Sequence, residues 1–373
     1  MKLDDNRVRI SAQQETEVKR AYSASVAEFL SPNTVRPNVV GLGVGTKWSH
    51  GEPTGEPALL ALVSHKMPRE ELTEADLIPS NLAGMQTDVV EIGYPMAGNR
   101  GLTQQVPRAS HRAELKQQNG ANYRLEEARE TLEVDIRELA RRQRPAQGGW
   151  SVGHPNITAG TIATCVYDLD AGGIPRRYYI LSNNHVLANS NDAAIGDHIL
   201  QPGPFDGGVD PSDRIAYLSR FVPITFEPSI PRERHSNLVD AAIAEGQFHD
   251  LSREIYWIGH VRGWRPKKDI KVGDVVYKTG RTTSFTQGQI IAINATVDVN
   301  YGGGRLARFR DQIITTNMSA GGDSGSLIVT LDERTNVPVA VGLLFAGSSS
   351  VTIANYIQNV RSLLNIEVAE RVL

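Results

Sequence analysis

Three polar residues sit in surroundings that suit reagents better than filler. Ser324 lies in Ser319-Ala320-Gly321-Gly322-Asp323-Ser324-Gly325-Ser326, between glycines that allow a tight turn and can aim N–H groups into one concavity. His185 ends Ile180-Leu181-Ser182-Asn183-Asn184-His185 and precedes the apolar Val186-Leu187-Ala188. Alone it reads as a satisfied core histidine. Asp240 interrupts the apolar run Leu238-Val239-Asp240-Ala241-Ala242-Ile243, where a carboxylate is costly unless hydrogen-bonded, and a histidine N–H would satisfy it. Hydrolysis of an unactivated amide needs a nucleophile, a base, a group to hold the base, and donors for the oxyanion. The expected assignment is Ser324 as nucleophile, His185 as general base and Asp240 as its orienting carboxylate. The N–H groups of Gly322 and Ser324 are the expected oxyanion donors.

Chain order narrows the architecture, because the members run His, Asp, Ser, 55 and 84 residues apart. No histidine follows Ser324, which excludes the Ser, Asp, His order of α/β-hydrolases for this nucleophile, and Ser326 breaks a G-x-S-x-G elbow. Cys165 lies mid-strand in an apolar run and reads as a core thiol. None of the nine histidines stands at zinc-ligand spacing to another histidine or to the cysteine, so neither metal nor cofactor is expected. The acidic stretch Asp206 to Asp210 reads as a surface turn.

The elements that must position these residues are strands. After Gly160 short β-like runs alternate with turn residues, as in TIATCVYDL, RRYYILSN, DAAIAE, DVVYKTG, QGQIIAINATV, DQIITTN, SGSLIVTL and VPVAVGLLF, which argues for an all-β sandwich or pair of barrels. A final helix is predicted over about 351–365 from Ile353, Ile357, Val360 and Leu364. Upstream, Ser11 and Gln14 cap a helix over 11–31, and apolar runs over 36–98 suggest a small α+β domain. There Gly41, Gly43 and Gly45 recur at period two, which suits a closely packed strand and not a phosphate loop. A helix is predicted over Ala121 to Gln143. The resulting division is 1–100, an α+β domain with a leading helix; 101–150, a helical linker region; and 151–373, the β domain with the reactive residues.

The chain has 373 residues, is 40% hydrophobic and 22% charged, and carries a net charge of -3, which gives no general attraction to nucleic acid or to an anionic membrane. No apolar run follows its first charges, and its single cysteine cannot make an internal disulfide, so a cytoplasmic address is expected. The apolar stripe of the second predicted helix leaves open a homo-oligomer or a regulatory partner acting through residues 1–150.

With LSNNHVLA, NLVDAAIA and GGDSGS in that order, residues 160 to 365 resemble the chymotrypsin/trypsin family of serine proteases. The whole chain is similar to cytosolic, disulfide-free bacterial trypsin-like proteins related to plant NARROW LEAF1-type proteases, in which an extension precedes the protease domain. The resemblance implies a double β-barrel with a C-terminal helix, and a serine endopeptidase acting on protein or peptide through an acyl-enzyme. It puts Met318, six residues before the nucleophile, on the floor of the primary specificity pocket, with Phe345, Ala346 and Gly347 as a wall, which implies cleavage after an uncharged residue. Phe345 falls where the family has a small serine bonded to the catalytic aspartate, so Asp240 is expected to be held differently. Asp323, without a freed amino terminus to pair with, is expected to find an arginine such as Arg281 or Arg310. VYKTGRTTSFTQGQI resembles a hairpin with a G-R-T-T-G signature, Ser284 replacing its last glycine. An esterase using the same triad, or a weak or inactive protease-fold protein that binds peptides as a scaffold, are the competing readings.

Overall fold

The computed structural model describes residues 10–34, 36–49, 52–98, 138–169, 175, 177–332 and 334–368. Helix α1, Ala12–Phe29, starts where the sequence predicts: the Ser11 hydroxyl accepts from the Gln14 N–H, and the Gln14 side chain accepts from the Ser11 N–H. It buries Val18, Ala21, Ser25 and Phe29, with Tyr22 and Val26 packed on the flank of the same face.

Strands β1, Val39–Ser49, and β2, Glu52–Val63, form an antiparallel pair, and β3, Met85–Glu91, joins β2 in parallel. Five short strands follow: β4, Thr164–Asp168; β5, Tyr178–Ser182; β6, His198–Leu200; β7, Arg214–Phe221; and β8, Ala242–Gly246. They pair antiparallel in the order β6-β7-β8-β5-β4. A second group comprises β9, Val275–Gly280; β10, Ser284–Asn300; β11, Leu306–Thr316; β12, Leu327–Leu331; β13, Pro338–Gly347; and β14, Val351–Tyr356. Its antiparallel order β9-β12-β13-β14-β11-β10 returns to β9, a closed six-stranded barrel. Helix α2, Ile357–Leu364, leads to β15, Ile366–Glu367, which pairs with β4 and extends the first group to six strands. The chain is thus mainly β with few helices, the double-barrel arrangement expected for residues 160–365.

The structure departs from expectation in three places. Residues 36–98 share a sheet with the second barrel, because β1 pairs antiparallel with β10. The alternating glycines allow it: a Cβ on Gly41 would lie 2.4 Å from the Thr296 carbonyl oxygen, and one on Gly45 would lie 2.8 Å from that of Ile291. Residues 351–356 form strand β14, so the last helix starts only at Ile357; both edges of β14 are paired, with β11 and β13, and that pairing overrides the helical spacing of Ile353 and Ile357. Of the helix predicted over 121–143, residues 121–137 lie outside the described residues, and Glu138–Ala140 form a single 3-10 turn.

A shared core joins the two halves. Leu181 of β5, Ile243 of β8, Leu327 of β12 and Leu343 of β13 pack with Ile357, Val360 and Leu364 of α2. His185 and Asp240 come from the first half and Ser324 from the second.

Candidate active site

The chain leaves β5 at Ser182 and coils into one helical turn, Asn184–Leu187, that carries His185. Asp240 stands just before β8. Its backbone is held from both halves: the Asn183 amide donates to the Asp240 carbonyl at 2.8 Å, and the Asp240 N–H donates to the Asn355 side chain of β14 at 3.0 Å. Asn355 in turn donates to Gln312 of β11 at 2.8 Å.

The Asp240 carboxylate is wholly buried and receives three hydrogen bonds. His185 Nδ1 donates to Oδ2 at 2.6 Å, the His185 backbone N–H donates to Oδ1 at 3.1 Å, and the Tyr301 hydroxyl donates to Oδ2 at 2.7 Å. A carboxylate only accepts, so Nδ1 carries a proton, and in the neutral imidazole Nε2 is then the acceptor. Nε2 makes no hydrogen bond among the described residues. Burial and the neighbouring Asp240 charge push the Tyr301 phenol well above its ordinary value, which keeps it a donor. Tyr301, from the β10–β11 connection, thus holds the carboxylate together with His185.

The Ser324 loop is a turn closed by the Asp323 N–H on the Ala320 carbonyl, with Gly322 at φ +100° and Gly325 at φ +97°. Both positions exclude side chains: a Cβ would come within 2.4 Å of Thr282 Oγ1 at Gly322, and within 2.1 Å of Ser182 Oγ at Gly325. The peptide planes are pinned. The Thr282 hydroxyl donates to the Gly321 carbonyl at 2.8 Å, and the Ser326 hydroxyl donates to the Asp323 carbonyl at 2.7 Å. In a trans peptide the N–H opposes the carbonyl, so these bonds fix the N–H groups of Gly322 and Ser324, and neither donates to another described group.

Asp323 is held by β9 and the hairpin after it. Its Oδ1 accepts from the Thr282 and Thr283 N–H groups at 2.8 and 3.1 Å, and its Oδ2 accepts from the Thr283 hydroxyl at 2.5 Å. The cation is Lys278, fully buried, 3.3 Å away. Burial lowers the Lys278 pKa, and the Asp323 charge opposes that shift. The expected arginine is therefore replaced by a lysine. Arg281 is engaged instead by Asp206, its Nε 2.8 Å from Oδ2, and Arg310 Nη2 donates to the Glu233 carbonyl. Ser284, in place of the signature glycine, takes a left-handed φ of +55°.

His185, Gly322 and Ser324 line one cleft of about 420 Å³, together with Tyr301 and Gly98. The structure brings together His185, Asp240, Ser324 and Gly322 but not the expected specificity pocket. Met318 is buried in the core beneath Gly288, whose Cβ would lie 2.7 Å from its sulfur. Phe345 is fully buried against Phe309, ring centroids 4.6 Å apart. The Gly347 N–H and carbonyl are both taken by Met96. None of the three lines the cleft. Cys165 is wholly buried, its thiol pushed up to about 12 by burial, as suits a core thiol. Among the described residues no three His, Cys, Asp or Glu side chains are grouped to hold a metal ion.

Residues missed at the sequence level are Tyr301, Thr282 and Lys278. Lys278 did leave a signal: like Asp240, it is a charge inside an apolar strand, DVVYKTG.

The site defines a mainly-β, two-barrel protein with serine, histidine and aspartate drawn from both halves. No protein-family model matches the chain, and no curated protein matches it in sequence. Among solved structures it is similar to Thermobifida fusca Protease A, at 16% identity over 60% of this chain and 98% of that one, with a TM-score of 0.40. It is similar also to Nocardiopsis protease, at 18% identity over 60% and 98% with a TM-score of 0.41, and to Cellulomonas bogoriensis chymotrypsin, at 17% over 59% and 96% with a TM-score of 0.37.

Proposed function

We propose that this chain is a serine endopeptidase. The observation that carries the reading is the imidazole of His185, tied through Nδ1 to a fully buried carboxylate while its other nitrogen is unengaged beside the cleft that Ser324 lines. In this reading Nε2 takes the Ser324 proton as Oγ attacks the peptide carbonyl. The Gly322 and Ser324 N–H groups receive the oxyanion, and the imidazolium, steadied by Asp240, protonates the leaving amine. Water then hydrolyses the acyl-enzyme with Nε2 again as base. Ser324 and His185 form no hydrogen bond in the free protein; such bonds commonly tighten only with substrate. On its three motifs and single cysteine we read the chain as kin of the cytosolic, disulfide-free bacterial proteins of NARROW LEAF1 type. No described helix is long and apolar enough to cross a membrane.

Comparing peptide termini across the proteomes of cells making the wild-type and the Ser324→Ala protein tests this. The proposal expects new termini only with Ser324 present. Identical profiles would overturn the endopeptidase reading, and Ser324-dependent hydrolysis of simple esters in the same samples would make the chain an esterase.

A further inference from the structure

Part of the cleft's wall is an extended segment of the chain itself. Residues Pro95 to Gly98 run between the end of β13 and the end of β10. The Met96 N–H donates to the Gly347 carbonyl at 2.9 Å, and the Gly347 N–H donates back to the Met96 carbonyl at 3.1 Å, an antiparallel pair. On the other side the Ala97 N–H donates to the Asn300 carbonyl and the Asn300 N–H to the Pro95 carbonyl, each at 3.0 Å. An extended peptide joins an exposed sheet edge by the same kind of pairing. The strand heads toward the reactive residues. Ala97 and Gly98 line the cleft with His185 and Ser324, and a Cβ built on Gly98 would lie 4.0 Å from His185 Cδ2. The two described residues of the segment that line the cleft are therefore the smallest available, whereas Met96, one step further back, is half-buried.

We infer that the edge made by Gly347 and Asn300 is the cleft's peptide-docking edge, and that Pro95–Gly98 occupies it as an intramolecular substitute for substrate. The inference rests on the protease reading of the cleft. The ligand class it defines is an uncharged peptide, paired along its backbone as Pro95–Ala97 is, with small residues at the two positions that line the cleft. This restores an uncharged preference on a basis other than Met318. A tethered strand acts at an effective concentration in the millimolar range, so a free peptide must either exceed that or wait for the strand to leave.

The test uses the full chain carrying Ser324→Ala, so that binding is read without turnover. The probe is a fluorescein-labelled Tyr-Pro-Met-Ala-Gly amide followed by anisotropy. Adding Met96→Pro and Ala97→Pro removes both strand N–H donors, and peptide binding should tighten at least about tenfold. Equal or weaker binding by the folded double variant would overturn the inference. Amide hydrogen exchange on the Ser324→Ala chain with its strand intact gives a second reading that requires no change to the strand. Excess unlabelled peptide should speed exchange at Met96 and Ala97, and unchanged protection there at the highest concentration would also overturn it. Neither readout depends on catalysis, so absence of a reactive serine would count against the function and leave this result intact.

Discussion

Tyr301 is the side chain that joins His185 at the Asp240 carboxylate, and it arrives from the hairpin between β10 and β11. A hydrogen bond to a charged group contributes about 1.5–3 kcal/mol. Tyr301→Phe should lower kcat by about tenfold or more with little change in KM, because the imidazolium of the transition state loses support and substrate contacts do not. Steady-state kinetics with one peptide substrate checks this; an unchanged kcat would make Tyr301 a packing residue only. Lys278 stands in a similar relation to Asp323. Replacing it by Met leaves a buried carboxylate without its cation, which should cost about 3–5 kcal/mol in chemical denaturation, more than a core repacking of similar volume would explain. Asp240 and Ser324 stood out in the sequence because each breaks a local rule, a charge in an apolar run and a serine among glycines. Tyr301 breaks none. It follows a polar strand end and precedes glycines, and only the fold sets it beside a residue 61 positions away.

At the scale of elements, α1 is fastened to the second barrel by specific polar contacts as well as by its apolar face. Glu15 meets Lys271 at 2.6 Å and the Tyr22 hydroxyl meets Thr296 Oγ1 of β10 at 2.6 Å, while Lys19, within α1 itself, meets Glu15 at 2.5 Å. Burial alone would raise the Glu15 carboxyl, but its hydrogen bonds and charge interactions with the two lysines outweigh burial and hold it below its ordinary 4.5. The folded state therefore binds this proton more weakly than the unfolded chain. The stability contributed by the contact is complete above the unfolded value and is lost as pH falls through the folded one. Wild type should exceed Glu15→Gln in stability at neutral pH, with the difference closing on thermal melts as pH falls below the unfolded value of 4.5 and through the lowered folded one. A difference that stayed constant would remove Glu15 from the docking account. The capped start of α1 was legible because its signals are local. β14 was misread because Ile353, Ile357, Val360 and Leu364 keep helical spacing, whereas its state is set by backbone partners on β11 and β13, up to 43 residues away and invisible to spacing.

Across the whole molecule the reactive residues come from both halves. His185 and Asp240 belong to the first, while Ser324, Tyr301 and the Asn355 amide belong to the second, so the site exists only while the seam holds. The strands that precede residue 98 belong to that structure. Leu42, Leu59, Leu60 and Leu62 are wholly buried, and each such side chain contributes about 1.5–3 kcal/mol. A chain beginning near Gly149 should consequently lack a cooperative thermal transition; a sharp melt at the wild-type temperature would show that β1 to β3 are an appendage after all. The sequence suggested an N-terminal α+β unit because the apolar runs over 36–98 fit one, and the pairing of β1 with β10 spans some 250 positions that no local pattern reports. The central claim is that Ser324 is a nucleophile activated by His185 and Asp240, and a fluorophosphonate probe tests it most directly. Mass spectrometry of the labelled protein should find the phosphonate on Ser324 of the wild type, and slower labelling by orders of magnitude in His185→Ala. Labelling of wild type no faster than of His185→Ala, or on a residue other than Ser324, would contradict the account.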